Sequence, residues 1–541
     1  MWRPLRRFMV PGVLVLVCCL SVLYTQAGNM PGKTPAAADV TQVTTTFGPV
    51  TGKSEHAQFV YLGIPFAAPP VGNLRWQEPH PPAPWTAPRA CTQFAASAPQ
   101  GVDNAKLIAN PRHLSEDCLY LNLWTPQLDP AAKLPVMVWI HGGGFVQGTA
   151  NNAWYDGGNL ASSGVVVVSI NYRLGLLGFL AHPALSAESP HHVSGNYGML
   201  DQIQALRWVQ DNIVRFGGDP NNVTVFGESA GGVSVCSLIA SPLAKGLFHR
   251  AIVESGAALS RIRKLHDADG LLSSAETEGK RIAAQLGARD DADALKILRG
   301  KTWQEILQHQ KPMSMLPGAT ALDNLIVDGY FLKESPGTAL AAQHVNNVPL
   351  LVGSNADEGT IFLRRAAKTT TVTAYRAFLR TALGEWADKT LELYPAETDA
   401  QAHQAMVQVV GDMFVANARR AARAMSQCQK DVYLYHFTQV PPMARRLDLG
   451  SFHGAEISYV FGHLPQTRGF TQKDQALADA MQRYWVRFAQ TGNPNQDGLP
   501  VWPAYTAAKD EHLRLAETIT VDRGLREEKC DLMDSWLNRE N

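Results

Sequence analysis

With 48 basic and 48 acidic side chains in 541 residues, the chain has a formal net charge of zero. That balance argues against the electropositive footprint of a nucleic-acid binder or of a protein held on an anionic membrane. Hydrophobic residues at 45% and charged residues at 18% describe a globular protein with a large core.

The first segment stands apart from the fold. Arg3, Arg6 and Arg7 precede an apolar run from about Val10 to Leu23, and Thr25-Gln26-Ala27 offers a small-residue cleavage site, so residues 1–27 read as a signal peptide. A retained membrane anchor is the rival reading, but the run is short for a bilayer span. Val17 is too bulky for the small residue that usually precedes a lipidated cysteine, which argues against a lipoprotein anchored at Cys18 or Cys19. The expectation is export to periplasm or medium, without a stable membrane anchor. Residues 28–39, rich in Pro, Gly and Ala, read as a mobile lead-in, and 40–541 as a single α/β domain.

From Val40 to Ala57 the chain reads as a hairpin, with Phe47-Gly48-Pro49 and Thr51-Gly52-Lys53 supplying turn chemistry. The proline content of Tyr61 to Pro70 predicts a rigid irregular path there. Ser115 to Asn122 leads into a strand. Val136–Ile140 and Val165–Ile170 are continuous apolar runs, as strands buried on both faces require. Met199, Ile203, Leu206, Val209, Ile213 and Phe216 keep helical spacing until Gly217-Gly218-Asp219-Pro220. Val223–Phe226, Ile252–Ser255, Val348–Val352 and Tyr433–Phe437 continue the strands, while about Ala275 to Gln310 reads as a helical insertion or cap. This alternation predicts a mostly parallel sheet flanked by helices.

The chemistry concentrates after the Val223–Phe226 strand, in Gly227-Glu228-Ser229-Ala230-Gly231-Gly232. Gly-x-Ser-x-Gly between a strand and a helix is a nucleophile elbow, a sharp turn that raises the serine hydroxyl above the sheet. A serine alone is a weak nucleophile and needs a base, an acid and an oxyanion site. His141-Gly142-Gly143-Gly144-Phe145 follows the Val136–Ile140 strand, and its glycines let backbone amides approach a ligand closely. The amides of Gly143, Gly144 and Ala230 are the expected oxyanion donors. A phosphate loop would need Gly-x-Gly-x-x-Gly or a following Lys-Ser/Thr, and neither is present.

Of sixteen histidines, His453 lies in a loop after the Tyr433–Phe437 strand, where the order serine, acid, histidine places the base. His436 belongs to the strand itself, and His191 and His192 have no partner motif. The acid is expected beyond the Val348–Val352 strand, where Asp357 and Glu358 both qualify; position leaves the choice open. No Cys-x-x-Cys pair or His-Glu-x-x-His helix supports a zinc site. Cys236, after the elbow, reads as a small buried apolar residue.

These residues resemble the type B carboxylesterases, the cholinesterase-like branch of the α/β-hydrolases. Glu116-Asp117-Cys118-Leu119-Tyr120-Leu121-Asn122 is similar to that family's second signature. Tyr61 to Trp76, Asn171-Tyr172-Arg173, Gly195-Asn196-Tyr197-Gly198, Asp201-Gln202, Asp357-Glu358-Gly359 and His453-Gly454 extend the likeness from about residue 45 to the C-terminus. The resemblance implies an α/β-hydrolase fold and hydrolysis of small or medium esters without a cofactor or metal. It implies Ser229 as nucleophile, Glu358 rather than Asp357 as acid, and His453 as base. Ser255 resembles the family's second buried serine and Glu228 its acidic residue beside the gorge. A Cys91–Cys118 disulfide is implied as well, which an exported chain could form; Cys428–Cys530 is a weaker pairing.

The loop between Cys91 and Cys118 lacks the tryptophan with which cholinesterases hold a quaternary ammonium, so choline esters are not expected. After Ser255 the chain reads Ala257-Ala258-Leu259-Ser260-Arg261-Ile262-Arg263-Lys264. Arg261 and Arg263 near an acyl pocket would suit an anionic acyl group, such as the tricarballylate esters of fumonisin-type mycotoxins; a solvated helix start is the blander reading. A lipase lacks support without a long amphipathic lid. A non-catalytic adhesion or scaffold protein of this fold would lack the serine or histidine, and both are present.

Overall fold

The computed structural model describes residues 41–101, 113–257, 262–268, 273–311, 325–364 and 370–539. The chain divides into Met1–Ala38 and Asp39–Asn541, and the described residues all belong to the second unit. Eleven strands form its main sheet: β1 Lys53–Glu55, β2 Gln58–Pro65, β3 Tyr120–Thr125, β4 Leu134–Ile140, β5 Val166–Ile170, β6 Gly218–Glu228, β7 Arg250–Glu254, β8 Leu350–Asn355, β9 Val432–Phe437, β10 Glu511–Leu515 and β11 Thr520–Arg523. They lie in the order β11-β10-β9-β8-β7-β6-β4-β5-β3-β2-β1. The pairs from β5 through β4, β6, β7, β8 and β9 to β10 are parallel. Those at the two rims are antiparallel. The expected parallel sheet is therefore its centre.

The apolar runs are continuous because both faces are covered. Along β4, Val136, Val138 and Ile140 join a core with α1 (Tyr197–Asn212) and α2 (Ala230–Ala240), while Met137 and Trp139 point into the opposite core with α5 (Gln472–Thr491). The insertion holds three helices, α3 (Ala275–Gln285), Asp291–Gly300 and Trp303–Leu307. Ser274, Asp290 and Thr302 cap them by accepting backbone N–H bonds, which satisfies otherwise orphaned donors. Two further helices, α4 (Asp399–Met425) and α6 (Glu527–Arg539), pack on each other beside β8 and β9.

Three expectations are corrected. Of the Tyr61–Pro70 stretch expected to be irregular, Tyr61–Pro65 belongs to strand β2, and only 66–70 is irregular. The strand's prolines begin only at its last residue, and a register shift at Gly63, whose N–H donates to Asn122 Oδ1 (3.0 Å), absorbs the irregularity. Gly52 links Pro49–Thr51 to β1 instead of turning a hairpin; the first hairpin turns between Thr44 and Pro49. Finally, Cys91 and Cys118 are separate buried thiols. Cys236 is buried on α2, as its position implied.

Candidate active site

The carboxyl ends of the parallel strands converge on one place, as is usual for ligand sites of open α/β sheets. His141 follows β4, Ser229 follows β6, Ser255 follows β7, Glu358 follows β8, and His453 lies in the loop after β9.

Ser229 sits between β6 and α2 at φ 59°, ψ −123°, a strained conformation for a residue with a side chain. The turn closes tightly because its neighbours are glycines. A Cβ on Gly231 would lie 2.0 Å from the Ile140 carbonyl oxygen, and one on Gly256 would lie 2.1 Å from that of Ser229. The Ser229 N–H donates to the Glu254 carbonyl at 2.9 Å, tying the elbow to β7. Ala230 opens α2, so its N–H has no carbonyl within the helix to bond. Gly143 and Gly144 have φ of 112° and 63°; a Cβ on Gly143 would meet the Gln147 carbonyl at 2.1 Å. His141 holds this loop from beneath. Its ring stacks on Tyr172 with centroids 4.4 Å apart, Nδ1 donates to the Gly142 carbonyl at 2.8 Å, and Tyr172 donates to the His141 carbonyl at 2.8 Å. Burial pushes this imidazole down to about 4, so it is neutral at ordinary pH.

His453 and Glu358 meet directly, with Nδ1 2.5 Å from Oε2. The other oxygen of Glu358 accepts from Ser255 Oγ (2.6 Å) and from the Asn355 N–H (2.7 Å). Asp357 is engaged elsewhere: its carboxylate accepts from the Ser451 N–H at 2.8 Å. On its far side, His453 Nε2 lies 3.1 Å from Glu228 Oε1. The rings of Phe362 and Phe414 pack against the imidazole at 4.8 and 4.9 Å. Burial opposes a charge on His453, but Glu228 and Glu358 outweigh it and raise the imidazole to about 9. Burial also raises the carboxyls of Glu228, Glu254 and Glu456.

The sequence reading missed Asn355, Glu254 and Glu456. Asn355 Nδ2 donates to Glu456 Oε2 (2.5 Å) and to the Phe452 carbonyl (2.9 Å), and Trp485 Nε1 donates to Glu254 Oε1 (2.7 Å). Their only advance signal was adjacency to the predicted motifs. Arg263, tied to the carbonyl and hydroxyl of Ser273 and buried, borders a cavity of about 50 Å3 together with α3. Arg261 lies outside the described residues. Among the described residues, no three His, Cys, Asp or Glu side chains gather as metal ligands, and no helix is long and apolar enough to cross a membrane.

The profile of the Carboxylesterase family matches residues 39–533. The chain belongs to that family. It is similar to a fumonisin B1 esterase of Sphingopyxis macrogoltabida, 41% identical over 82% of this chain and 81% of that one. A human cocaine esterase is 38% identical over 89% of each, and a para-nitrobenzyl esterase of Bacillus subtilis (strain 168) is 36% identical over 90% and 97%. A solved PNB esterase structure overlays with a TM-score of 0.79 at 34% identity, covering 91% of this chain and 99% of that one. This carboxylesterase has the α/β-hydrolase fold and is a carboxylic-ester hydrolase.

Proposed function

We propose that ester hydrolysis runs through an acyl-enzyme on Ser229, with His453 as base and Glu358 as acid. The observation that supports this reading is the 2.5 Å contact between His453 Nδ1 and Glu358 Oε2 beside a strained serine elbow. His453 takes the proton of Ser229 Oγ as that oxygen attacks the ester carbonyl, and Glu358 holds the tautomer and stabilises the imidazolium. The amides of Gly143, Gly144 and Ala230 receive the negative charge that develops on the carbonyl oxygen. The alcohol leaves with the proton from His453; water then attacks the acyl-enzyme by the same route and releases the acid. Glu228, beside Nε2, adds to the stabilisation of the protonated imidazole. Ser255 holds Glu358.

The test is hydrolysis of a short p-nitrophenyl ester by the mature protein and by Ser229→Ala. A folded variant is expected to lose about 10^6-fold in kcat; undiminished turnover would refute the assignment.

A second reading concerns the acyl group. The similarity to a fumonisin B1 esterase and the cation-rich stretch Arg261-Ile262-Arg263-Lys264 favour esters of polycarboxylic acids. Because Arg263 is engaged with Ser273, Arg261 carries more of this reading. An Arg261→Ala, Arg263→Ala double variant should lose its preference for acidic over neutral acyl groups, and unchanged selectivity would end the idea. The N-terminal Arg residues and apolar run support export with cleavage after Ala27, leaving 28–39 as lead-in and 40–541 as one catalytic domain. N-terminal sequencing of the protein recovered outside the cytoplasm tests this.

A further inference from the structure

The loop that carries Glu358 is gripped from behind by a group with no place in the chemistry above. Arg526, at φ 47° just before α6, donates through Nη2 to the Ala356 carbonyl at 2.6 Å. Its Nη1 donates to Oδ1 of Asp412 on α4. Asp412 is fully buried; its other oxygen accepts from Tyr394 Oη at 2.8 Å and lies 3.7 Å from Lys529 Nζ. A charge so deeply buried costs several kcal/mol unless it is paired and bonded on both oxygens, and that demand fixes where the guanidinium can stand.

Ala356 is two residues before Glu358 and is itself a junction. Its N–H donates to the Phe437 carbonyl at the end of β9, and the next N–H, of Asp357, donates to the Ser451 carbonyl, two residues before His453. The helix bearing Asp412 touches the same loop directly. A Cβ on Gly359 would fall 2.1 Å from the Val407 carbonyl, and one on Gly411 would fall 3.3 Å from the Gly359 nitrogen. Phe414, two residues past Asp412, packs on the His453 ring.

We propose that the Asp412–Arg526 pair is a positioning device: by holding the Ala356 carbonyl it sets the acid loop, and through it the alignment of Glu358 with His453. This rests on the Ser229–His453–Glu358 reading. Arg526 touches no reacting atom, and a cavity of about 540 Å3 lined by Ala356, Gly411, Asp412, Arg526 and Lys529 borders it. A loosened guanidinium therefore has room to swing away, and the loop has room to follow.

The experiment compares Arg526→Ala, Arg526→Lys and Asp412→Asn with Arg419→Ala. Arg419 joins α4 to Asp510 and to Asp531 of α6 and bonds nothing in the acid loop. Thermal midpoint, kcat, KM and the acidic limb of the pH profile are measured on p-nitrophenyl acetate. The groups facing the His453 ring are Glu358, Glu228, Phe362 and Phe414. A looser Glu358 stabilises the imidazolium less, so the limb moves to lower pH. Arg526→Ala and Asp412→Asn should lose about 10- to 100-fold in kcat, the scale of ångström-level misplacement, with KM changed little. Arg526→Lys, which cannot bond both partners in the same geometry, should fall between these and the parent. Arg419→Ala should lose stability while keeping kcat and the limb. If Arg526→Ala does not fold, Arg526→Lys decides. Parental kcat and limb in the folded Arg526 variants overturn the proposal, whatever happens to the thermal midpoint. Retained activity in Ser229→Ala and Glu358→Gln would instead overturn the reading beneath it.

Discussion

The two halves of the proposed site are held in place by different means. On the nucleophile side the restraint is backbone against backbone. A Cβ added to Gly231 or Gly256 would lie about 2 Å from a carbonyl oxygen, and Ser229 keeps its strained angles because close strands and α2 leave no alternative. On the acid–base side, side chains add to the backbone contacts of the acid loop. Ser255 Oγ and the Asn355 backbone N–H bond Glu358, two stacked phenyl rings pack against His453, and two carboxyl groups flank its nitrogens. The first arrangement tolerates no added atom, whereas the second should weaken in steps as its members are removed. Backbone restraint suits an atom that must sit at one point. Side-chain restraint suits a proton carrier whose charge changes during each turnover.

The sharpest test of that contrast is Glu358→Gln, which keeps the shape of the acid but removes its charge. A drop of about 10^4-fold in kcat is expected, read in steady-state assays on a p-nitrophenyl ester; a loss of only a few fold would place the acid elsewhere. Next comes Gly231→Ala. The added methyl has no space, so folded protein should be scarce and its turnover reduced by about 100-fold; a well-folded, fully active variant would show that the elbow can relax. Ser255→Ala removes one of the two hydrogen bonds to Glu358 Oε1 and should cost about tenfold in kcat, the scale of a hydrogen bond to a charged group. No change in rate would leave Ser255 as mere packing. The smallest effect is expected of Glu228→Gln on pH dependence. Glu228 favours the charged form of His453, so its loss lowers the imidazole from about 9. The neutral base then becomes available at lower pH, and the acidic limb of kcat/KM should move down. A limb that stays in place or moves up would contradict the electrostatic role of Glu228.

The strand pattern was legible because buried parallel strands write unbroken apolar runs: the runs read at Val136–Ile140 and Val165–Ile170 are strands Leu134–Ile140 and Val166–Ile170. Tyr61–Pro65 was misread as irregular, though 66–70 was not, because prolines just beyond a strand look the same in sequence as prolines within it. The Cys91–Cys118 disulfide was implied by the family resemblance; in the structure both are free buried thiols. The long helices α4 and α5 were not singled out, although they supply Phe414 and Trp485 to the site's surroundings.

What the sequence determined by itself was the set of motifs behind the proposed chemistry: a serine in a strand–turn–helix, a glycine loop after another strand, and an acid and a histidine in the order that chemistry needs. Each is a local pattern, since a tight turn or a close backbone approach demands its glycines within a few residues. The tertiary structure decided which groups surround that chemistry. It gave Glu358 rather than Asp357 the contact with His453, set Glu228 against the imidazole's other nitrogen, and brought Arg526 from 170 residues away to the acid loop. Those contacts join side chains from distant strands and helices. Packing, burial and the pairing of buried charge select them, and these act only once the chain has folded.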